Sequence, residues 1–339
     1  METISGVDMS TDYDKTVSVV IPCYKVTRHI EEVILKIPKF VNNIICVDDC
    51  CPEHSGNYIK ENIKDPRIIV LYNKNNMGVG GAVMHGFQYV VDNNLSDIVV
   101  KIDGDGQMDP TLITNFLDPI IAGYADYTKG NRFYNPEDVQ QMPFIRLLGN
   151  VGLGFCNKIS SGYYNIFDPT NGYIAVTTYT LSQMNFSRIH NRFFFESDML
   201  YNLHLIKAKV LDIPMKATYG DEVSNLSVFH SLITFGFLHI RNAFKRIFFE
   251  YYLRDFSIGS IALPSGTVML LFGIFFGLYN WITNFNFNVV TPTGTIMLCS
   301  LSVIIGFQLV LTFLYQDMLT VPKQVITPKH EYNKFDNIK

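Results

Sequence analysis

Apolar residues recur along the first hundred positions in two alternating rhythms. Residues 17–22, Val-Ser-Val-Val-Ile-Pro, form a short β-branched run closed by proline, the pattern of a buried strand. Residues 28–37 then put Ile30, Val33, Ile34 and Ile37 on one helical face before Pro38 ends it. Runs at 44–47, 67–72 and 97–102 predict three more strands, and a glycine-bearing stretch from Met77 opens a helix through Val91. Strands alternating with helices, each strand ending in polar residues, predict a mainly parallel α/β sheet with helices on both faces. Ligands bind such sheets beyond the carboxyl ends of the strands. Asp48/Asp49, Asn73/Asn75 and Asp103/Asp105 all fall at those ends, so residues scattered in sequence are expected to converge in space.

Further on the rhythm disappears. Residues 256–316 contain no Asp, Glu, Lys, Arg or His. That is too long for one membrane span and sufficient for two of about 20 residues each. Spans are predicted at 258–282 and 295–315, with a linker at 283–294 rich in Asn, Thr, Pro and Gly. Just upstream, Phe229, Leu232, Ile233, Phe237, Ile240, Phe244, Ile247 and Phe248 repeat at helical spacing. His239, Arg241, Asn242, Lys245 and Arg246 take the other positions, which predicts a basic amphipathic helix in the bilayer interface, drawn to anionic head groups.

The expected organisation is a polar extension (1–16), an α/β domain (17–225), amphipathic juxtamembrane helices (226–256), the two-helix hairpin (257–316) and a tail (317–339). Arg241, Lys245, Arg246 and Arg254 precede the first span, Lys323 and Lys329 follow the second, and the linker has no basic residue. The positive-inside rule then puts the α/β domain and both termini in the cytoplasm of an integral membrane protein, expected in the bacterial inner membrane. Residues 1–16 lack the apolar core of a signal peptide. Gly273 and Gly277 form a G-x-x-x-G pair in the first span, either a helix-packing face for a homo-oligomer or two glycines merely tolerated there.

Bulk properties exclude more than they assign. A net charge of −4 gives no reason to expect nucleic acid. The six cysteines have no framework spacing and are expected to be free thiols, the adjacent Cys50-Cys51 included. His54 and His85 have no paired ligand at metal spacing and read as structural. Met77–Gly81, Met-Gly-Val-Gly-Gly, does not fit a dinucleotide fingerprint and follows the wrong strand for one. Its glycines serve either close approach to a nucleotide or helix–sheet packing.

The chemistry concentrates in residues 101–110, K-I-D-G-D-G-Q-M-D-P, where a buried strand opens into a loop. Hard divalent cations take oxygen ligands, and Mg²⁺ is commonly held by one or two carboxylates plus substrate phosphates. Further motifs follow in order: V-S-V-V-I-P-C-Y, V-D-D, N-x-x-x-G-x-G-G-A, D-G-D-G-Q-x-D-P and Gly130-Asn131-Arg132. Together they resemble the family 2 glycosyltransferases of GT-A fold. With two C-terminal spans the chain is most similar to the membrane-bound polyprenyl-phosphate glycosyltransferases, relatives of dolichol-phosphate mannose synthase.

The resemblance implies a set of roles. Asp103 and Asp105 would hold Mg²⁺ or Mn²⁺ against the diphosphate of a nucleotide sugar, with Gln107 nearby. Pro22, Tyr24, Asp48 or Asp49, and Gly78 would border the nucleotide. Arg132 would face the acceptor phosphate, with Arg146 as a second candidate. Asp168, Asn171 and Gly172, in D-P-T-N-G-Y, would line the donor sugar; Glu196 and Asp198, in F-F-F-E-S-D, would point toward sugar and acceptor. Lys25-Val26 stands where the family often has Asn-Glu, so a glutamate contact to the nucleotide is missing.

The implied reaction is inverting transfer of one sugar, from a UDP-sugar by family frequency, to polyprenyl phosphate at the cytoplasmic face. An ionised phosphate attacks C1 without a general base, whereas a hydroxyl acceptor on a glycolipid or polysaccharide would need one. Processive synthases carry a Q-x-x-R-W element, and the single tryptophan here, Trp281, lies in the first span. A non-catalytic nucleotide-sugar-binding membrane protein is the reading outside enzymology.

Overall fold

A computed structural model describes residues 14–134, 144–216 and 228–328. The described chain divides into two units: one holds the residues up to His239 together with those from Pro322 onward, the other Ile240–Val321.

The first unit is built on a seven-stranded sheet. Its strands are β1 (Val17–Cys23), β2 (Asn43–Asp48), β3 (Ile68–Tyr72), β4 (Ile98–Lys101), β5 (Tyr127–Asn131), β6 (Ile174–Thr177) and β7 (Val210–Pro214). They lie in the order β3-β2-β1-β4-β6-β5-β7. All neighbours are parallel except β6, which runs antiparallel to both β4 and β5. The helices are α1 (Ile30–Leu35), α2 (Ser55–Asn62), α3 (Val79–Asp92), α4 (Ile113–Ile121), α5 (Phe144–Ser161), α6 (Thr178–Ser182) and α7 (Phe195–Leu205).

Alternation along β1 explains the layers. Val17, Val19, Ile21 and Cys23 join one core with Ile30 and Val33 of α1, Ile59 of α2 and Phe116 of α4. Val20 points to the other face, where Gly86 of α3 approaches so closely that an added Cβ would lie 2.5 Å from Val20 Cγ1. Strands buried on both faces read as continuous apolar runs, which is why β1, β2 and β4 were legible; β3, half-buried at the sheet edge, was legible from its β-branched run alone. The last three were not located from sequence. β5 reads Tyr-Thr-Lys-Gly-Asn, polar yet buried throughout, and no alternation marks it.

The antiparallel β6 matters for the site. Lys101 at the carboxyl end of β4 pairs with Ile174 at the start of β6, so residues 168–172 arrive at the ends where β4 and β5 finish. The strand order reverses between β1 and β4, which opens a crevice at that point.

Residues 322–328 also belong to this unit. Asp126, fully buried, accepts hydrogen bonds from Thr327 N (2.9 Å), Thr327 Oγ1 (2.7 Å) and Ile326 N (2.9 Å) through one or other oxygen, and from Lys209 N (2.8 Å). A buried carboxylate is tolerable only when its lone pairs are satisfied, and here the returning chain does most of that.

Helix α8 (Val228–Phe248) is inside out. Ile233, Phe237, Ile240, Phe244 and Phe248 are exposed at helical spacing, while His239, Asn242 and Arg246 are buried. His239 meets Ser160 Oγ at 2.7 Å within the first unit. Arg246 is therefore not available to lipid head groups, contrary to the amphipathic assignment above. In the second unit its guanidinium forms a fork with Asp317, at 2.8 Å and 2.6 Å, and Tyr251 Oη donates to the same carboxylate at 3.0 Å.

The second unit continues through a π-helical turn, Phe249–Arg254, into α9 (Ile258–Asn286) and α10 (Thr293–Leu319). Both helices outrun the expected spans and are apolar enough to cross a membrane, with mean hydropathy 2.0 and 2.3 over their best windows, of which 17% is buried. Core helices of soluble proteins would be mostly buried. Gly266, Gly273 and Gly306 let the two helices touch: a Cβ on Gly273 would lie 3.0 Å from Cys299 O. The Gly273 face is thus occupied by the chain's own second helix, while Gly277 makes only ordinary contact with Cys299.

Replacing Asp126 by Ala should lower stability by about 3 kcal/mol, the scale for losing several charge-assisted bonds in a buried site. Residues 322–328 should at the same time become open to limited proteolysis. Unchanged melting with no new cleavage would show that the returning segment does not depend on Asp126.

Candidate active site

A cavity of about 910 Å³ occupies the crevice beyond β1, β2 and β4, a size suited to a small organic ligand. Its walls come from the segments just after these strands, the start of α3, residues 170–172, 192–196 and 215–216. A smaller cavity of about 340 Å³, beside Asp97 and Thr177, contains none of the motif residues discussed above.

The acidic loop forms one wall. Asp103, Asp105 and Gln107 all line the cavity. Asp105 Oδ1 accepts from Gln107 N at 3.0 Å, and Gly106 makes the turn with φ +80°, a conformation that suits glycine. Asp103 Oδ1 is paired with Lys101 Nζ at 2.7 Å. Among the described residues no group of three or more His, Cys, Asp or Glu could hold a metal alone. Two carboxylates with only oxygen donors fit Mg²⁺ or Mn²⁺ provided the substrate's phosphates complete the set.

Pro22, Tyr24, Lys25, Asp49 and Gly78 line the same cavity, and Tyr24 is 45% exposed. Asp49 is committed to the fold: it accepts from Asn73 Nδ2 (2.7 Å), Met77 N (2.8 Å) and Gly78 N (2.7 Å). It thereby fixes the glycine turn to the end of β2. Asp48 is not part of the cavity wall. Its carboxylate accepts from Cys51 N and Gly56 N, both at 2.7 Å, and closes the turn into α2. Lys25 has φ +59°, a left-handed conformation that lysine adopts at a cost and asparagine more readily.

The glycine stretch has a packing role. A Cβ on Gly80 would lie 2.4 Å from His190 O and 2.6 Å from Phe195 Cβ, and Gly81 N donates to Asn191 O at 2.8 Å. The close approach here is to residues 190–195, which those glycines hold at the cavity's edge.

Arg132, Asn171, Gly172 and Glu196 line the remaining wall. Asp168 does not; fully buried, it grips Arg132 through Nε (2.7 Å) and Nη2 (3.0 Å) and so fixes the guanidinium at the cavity. Asp198 is also away from the wall, buried and accepting from His190 N at 2.9 Å. The Arg146 side chain and residues 219–224 lie outside the described residues. Phe193, which opens the F-F-F-E-S-D motif, lines the cavity, and so does Arg192, which was not singled out; a basic residue beside an aromatic run was the available signal. Lys101 was also passed over, although a lysine ending an apolar strand is a polar break in the pattern.

Burial shapes the titration of this wall. It pushes the Glu196 carboxyl up to about 7, against the opposing pull of Lys101 and Lys129. It also pulls Lys129 down to about 8, and Lys129 Nζ donates to Asn171 O. Asp212, which accepts from Asn131 Nδ2 at 3.0 Å, is pushed up to about 6, again by burial.

The sheet is GT-A-like, with an acidic loop at its switch point. The chain belongs to glycosyl transferase family 2, whose model matches residues 18–188, half of its length. It is 28% identical over 222 residues to the UDP-N-acetylglucosamine–dolichyl-phosphate N-acetylglucosaminyltransferase of Methanococcus voltae, covering 61% of this chain and 88% of that one. It is 27% identical over 179 residues to polyprenol monophosphomannose synthase of Mycolicibacterium smegmatis, covering 52% and 66% respectively. The undecaprenyl-phosphate mannosyltransferase of Micrococcus luteus is 24% identical over 176 residues, 51% of this chain and 71% of that one. In fold the chain is similar to glucosyl-3-phosphoglycerate synthase of Mycobacterium tuberculosis, crystallised with Mn²⁺, UDP and glucosyl-3-phosphoglycerate: TM-score 0.50, 15% identity, 69% of this chain and 80% of that one. The protein is a glycosyltransferase.

Because the folded pKa of Glu196 lies above its ordinary 4.5, the folded state binds this proton more tightly than the unfolded state does. The resulting stability is fully present below 4.5 and is lost as pH rises through about 7. In EDTA, the melting temperature of wild type relative to Glu196→Gln should therefore be higher at about pH 5 than at about pH 8. Equal differences at the two pH values would contradict the assigned burial of the carboxyl.

Proposed function

We propose that the protein is an integral membrane glycosyltransferase that moves one sugar from a nucleotide diphosphate donor, UDP-linked by preference, to polyprenyl phosphate at the cytoplasmic face. The observation that carries the reading is the composition of the cavity at the switch point. It joins an acidic pair suited to a cation-bound diphosphate with Arg132, Arg192 and Lys216, cations suited to a second phosphate. Three relatives named for transfer to polyprenyl phosphates support the acceptor. The apolar hairpin and the outward apolar stripe of α8 support a bilayer setting.

In this reading Asp103 and Asp105 hold Mg²⁺ or Mn²⁺, which when bound neutralises charge on the departing nucleoside diphosphate. Tyr24 borders the base, with Pro22 and Gly78, while Asp49 and Asp48 hold the turns that shape that end. The donor sugar lies along Asn171, Gly172 and Gln107. Arg132, oriented by Asp168, offers its planar guanidinium to the acceptor phosphate, and Arg192 and Lys216 add charge at the same opening. A phosphate oxygen of the acceptor forms the new bond to C1 as the bond from C1 to the diphosphate breaks, with inversion. No proton needs to be removed from an ionised phosphate.

Glu196 favours a second reading. A carboxyl poised near neutrality inside the cavity suits a general base, which a hydroxyl acceptor on a glycolipid or polysaccharide would require.

The deciding experiment supplies radiolabelled UDP- and GDP-sugars with short-chain polyprenyl phosphate in detergent, with Mn²⁺ or with EDTA. Metal-dependent label in the lipid phase should fall by at least about 100-fold in Asp105→Asn, the scale for losing a principal electrostatic contact in the transition state. Arg192→Ala should mainly raise KM for the lipid. Label reaching only a hydroxyl-bearing acceptor, abolished in Glu196→Gln, would replace the first reading by the second. Folded protein that turns over no donor would overturn both.

A further inference from the structure

Lys101 is a lysine in the centre of the sheet. It ends β4, between β1 and β6, and is 1% exposed. Burying an ammonium is costly unless it is paired, so a lysine at this position calls for an anion nearby. Its Nζ lies 2.7 Å from Asp103 Oδ1, 5.7 Å from the centre of the Phe195 ring, and close enough to Glu196 to oppose the effect of burial on that carboxyl. Lys101 also lines the cavity.

The neighbouring glycine is explained by the same lysine. A Cβ on Gly172 would lie 2.3 Å from Lys101 Nζ and 3.2 Å from Asp103 Oδ2. A side chain at position 172 would push the ammonium aside. Gly172 leaves the room in which the ammonium meets Asp103.

We infer that Lys101 is a positioning residue that makes cation binding at Asp103 and Asp105 depend on the nucleotide. This inference rests on the reading of those two carboxylates given above. Lys101 takes one oxygen of Asp103 and leaves the other for a cation, so Asp103 is held monodentate. It also cancels one of the two negative charges of the acidic pair. Without nucleotide the pair is then a weak attractor for a divalent ion. The diphosphate of the donor restores negative charge and adds oxygens, so cation and nucleotide strengthen each other's binding, reciprocally. A site organised in this way holds its cation when a donor is present and gives it up with the spent diphosphate.

The test is Mn²⁺ binding to the full-length protein in detergent, followed by electron paramagnetic resonance, without nucleotide and with UDP or GDP. In wild type the nucleotide should tighten Mn²⁺ binding by about 10-fold or more, within the usual range of such couplings. In Lys101→Met, nucleotide-free Mn²⁺ binding should strengthen and the gain on adding nucleotide should shrink to about 2-fold or less. Gly172→Ala, which keeps the charge but displaces it, should shift both quantities in the same direction by a smaller factor, and it decides the matter if Lys101→Met does not fold. Wild-type coupling that persists unchanged in both variants overturns the role of Lys101 and leaves the cation site standing. Wild type that binds no Mn²⁺ even with both nucleotides overturns the cation site, and this inference with it.

Discussion

A charge withdrawn from water must meet an opposite charge or a full set of hydrogen bonds, and this requirement organises the molecule from the sheet to the apolar hairpin. Lys101 is held by Asp103, Arg132 by Asp168, and Arg246 by Asp317. Asp126 is satisfied mainly by the backbone and hydroxyl of the returning segment. Each pair is a geometric clamp as well as a neutralisation. Removing one member would strand the other in a low-dielectric setting, so these contacts specify position far more than they add net stability.

The same requirement divides the motif residues into those that face the cavity and those that build it. Asp103, Asp105 and Glu196 look into it, whereas Asp48, Asp168 and Asp198 are consumed by backbone amides or a guanidinium. Asp49 does both: it lines the cavity while its two oxygens accept three bonds that fix the glycine turn. A carboxylate in a motif is therefore no guide to its job until its lone pairs have been traced. Glycines behave likewise. Gly80 yields to a carbonyl and Gly172 to an ammonium, two different reasons for lacking a side chain.

Helix α8 shows how far the surroundings can reverse a periodic pattern. Its hydrophobic spacing was plain in the sequence, and by ordinary rules the apolar stripe would turn inward. Instead His239, Asn242 and Arg246 are buried and the phenylalanines face outward. That arrangement is costly in water and natural where the exterior is hydrocarbon or head groups, as it also is for the two long apolar helices that follow.

The sequence by itself determined whatever depends on near neighbours. The first four strands announced themselves because each is a run of apolar, mostly β-branched residues, the acidic loop because its glycine and carboxylates are adjacent, and the hairpin because it lacks charge throughout. Tertiary structure alone decided the rest. Arg132 finds Asp168 36 positions away, Arg246 finds Asp317 71 away, and Asp126 finds Thr327 201 away. No local pattern encodes such partners, since a carboxylate reads the same whether it will bind a cation, an arginine or a row of amides. Only the antiparallel insertion of β6 brought Gly172 to the end of β4, where the space it leaves is filled by Lys101.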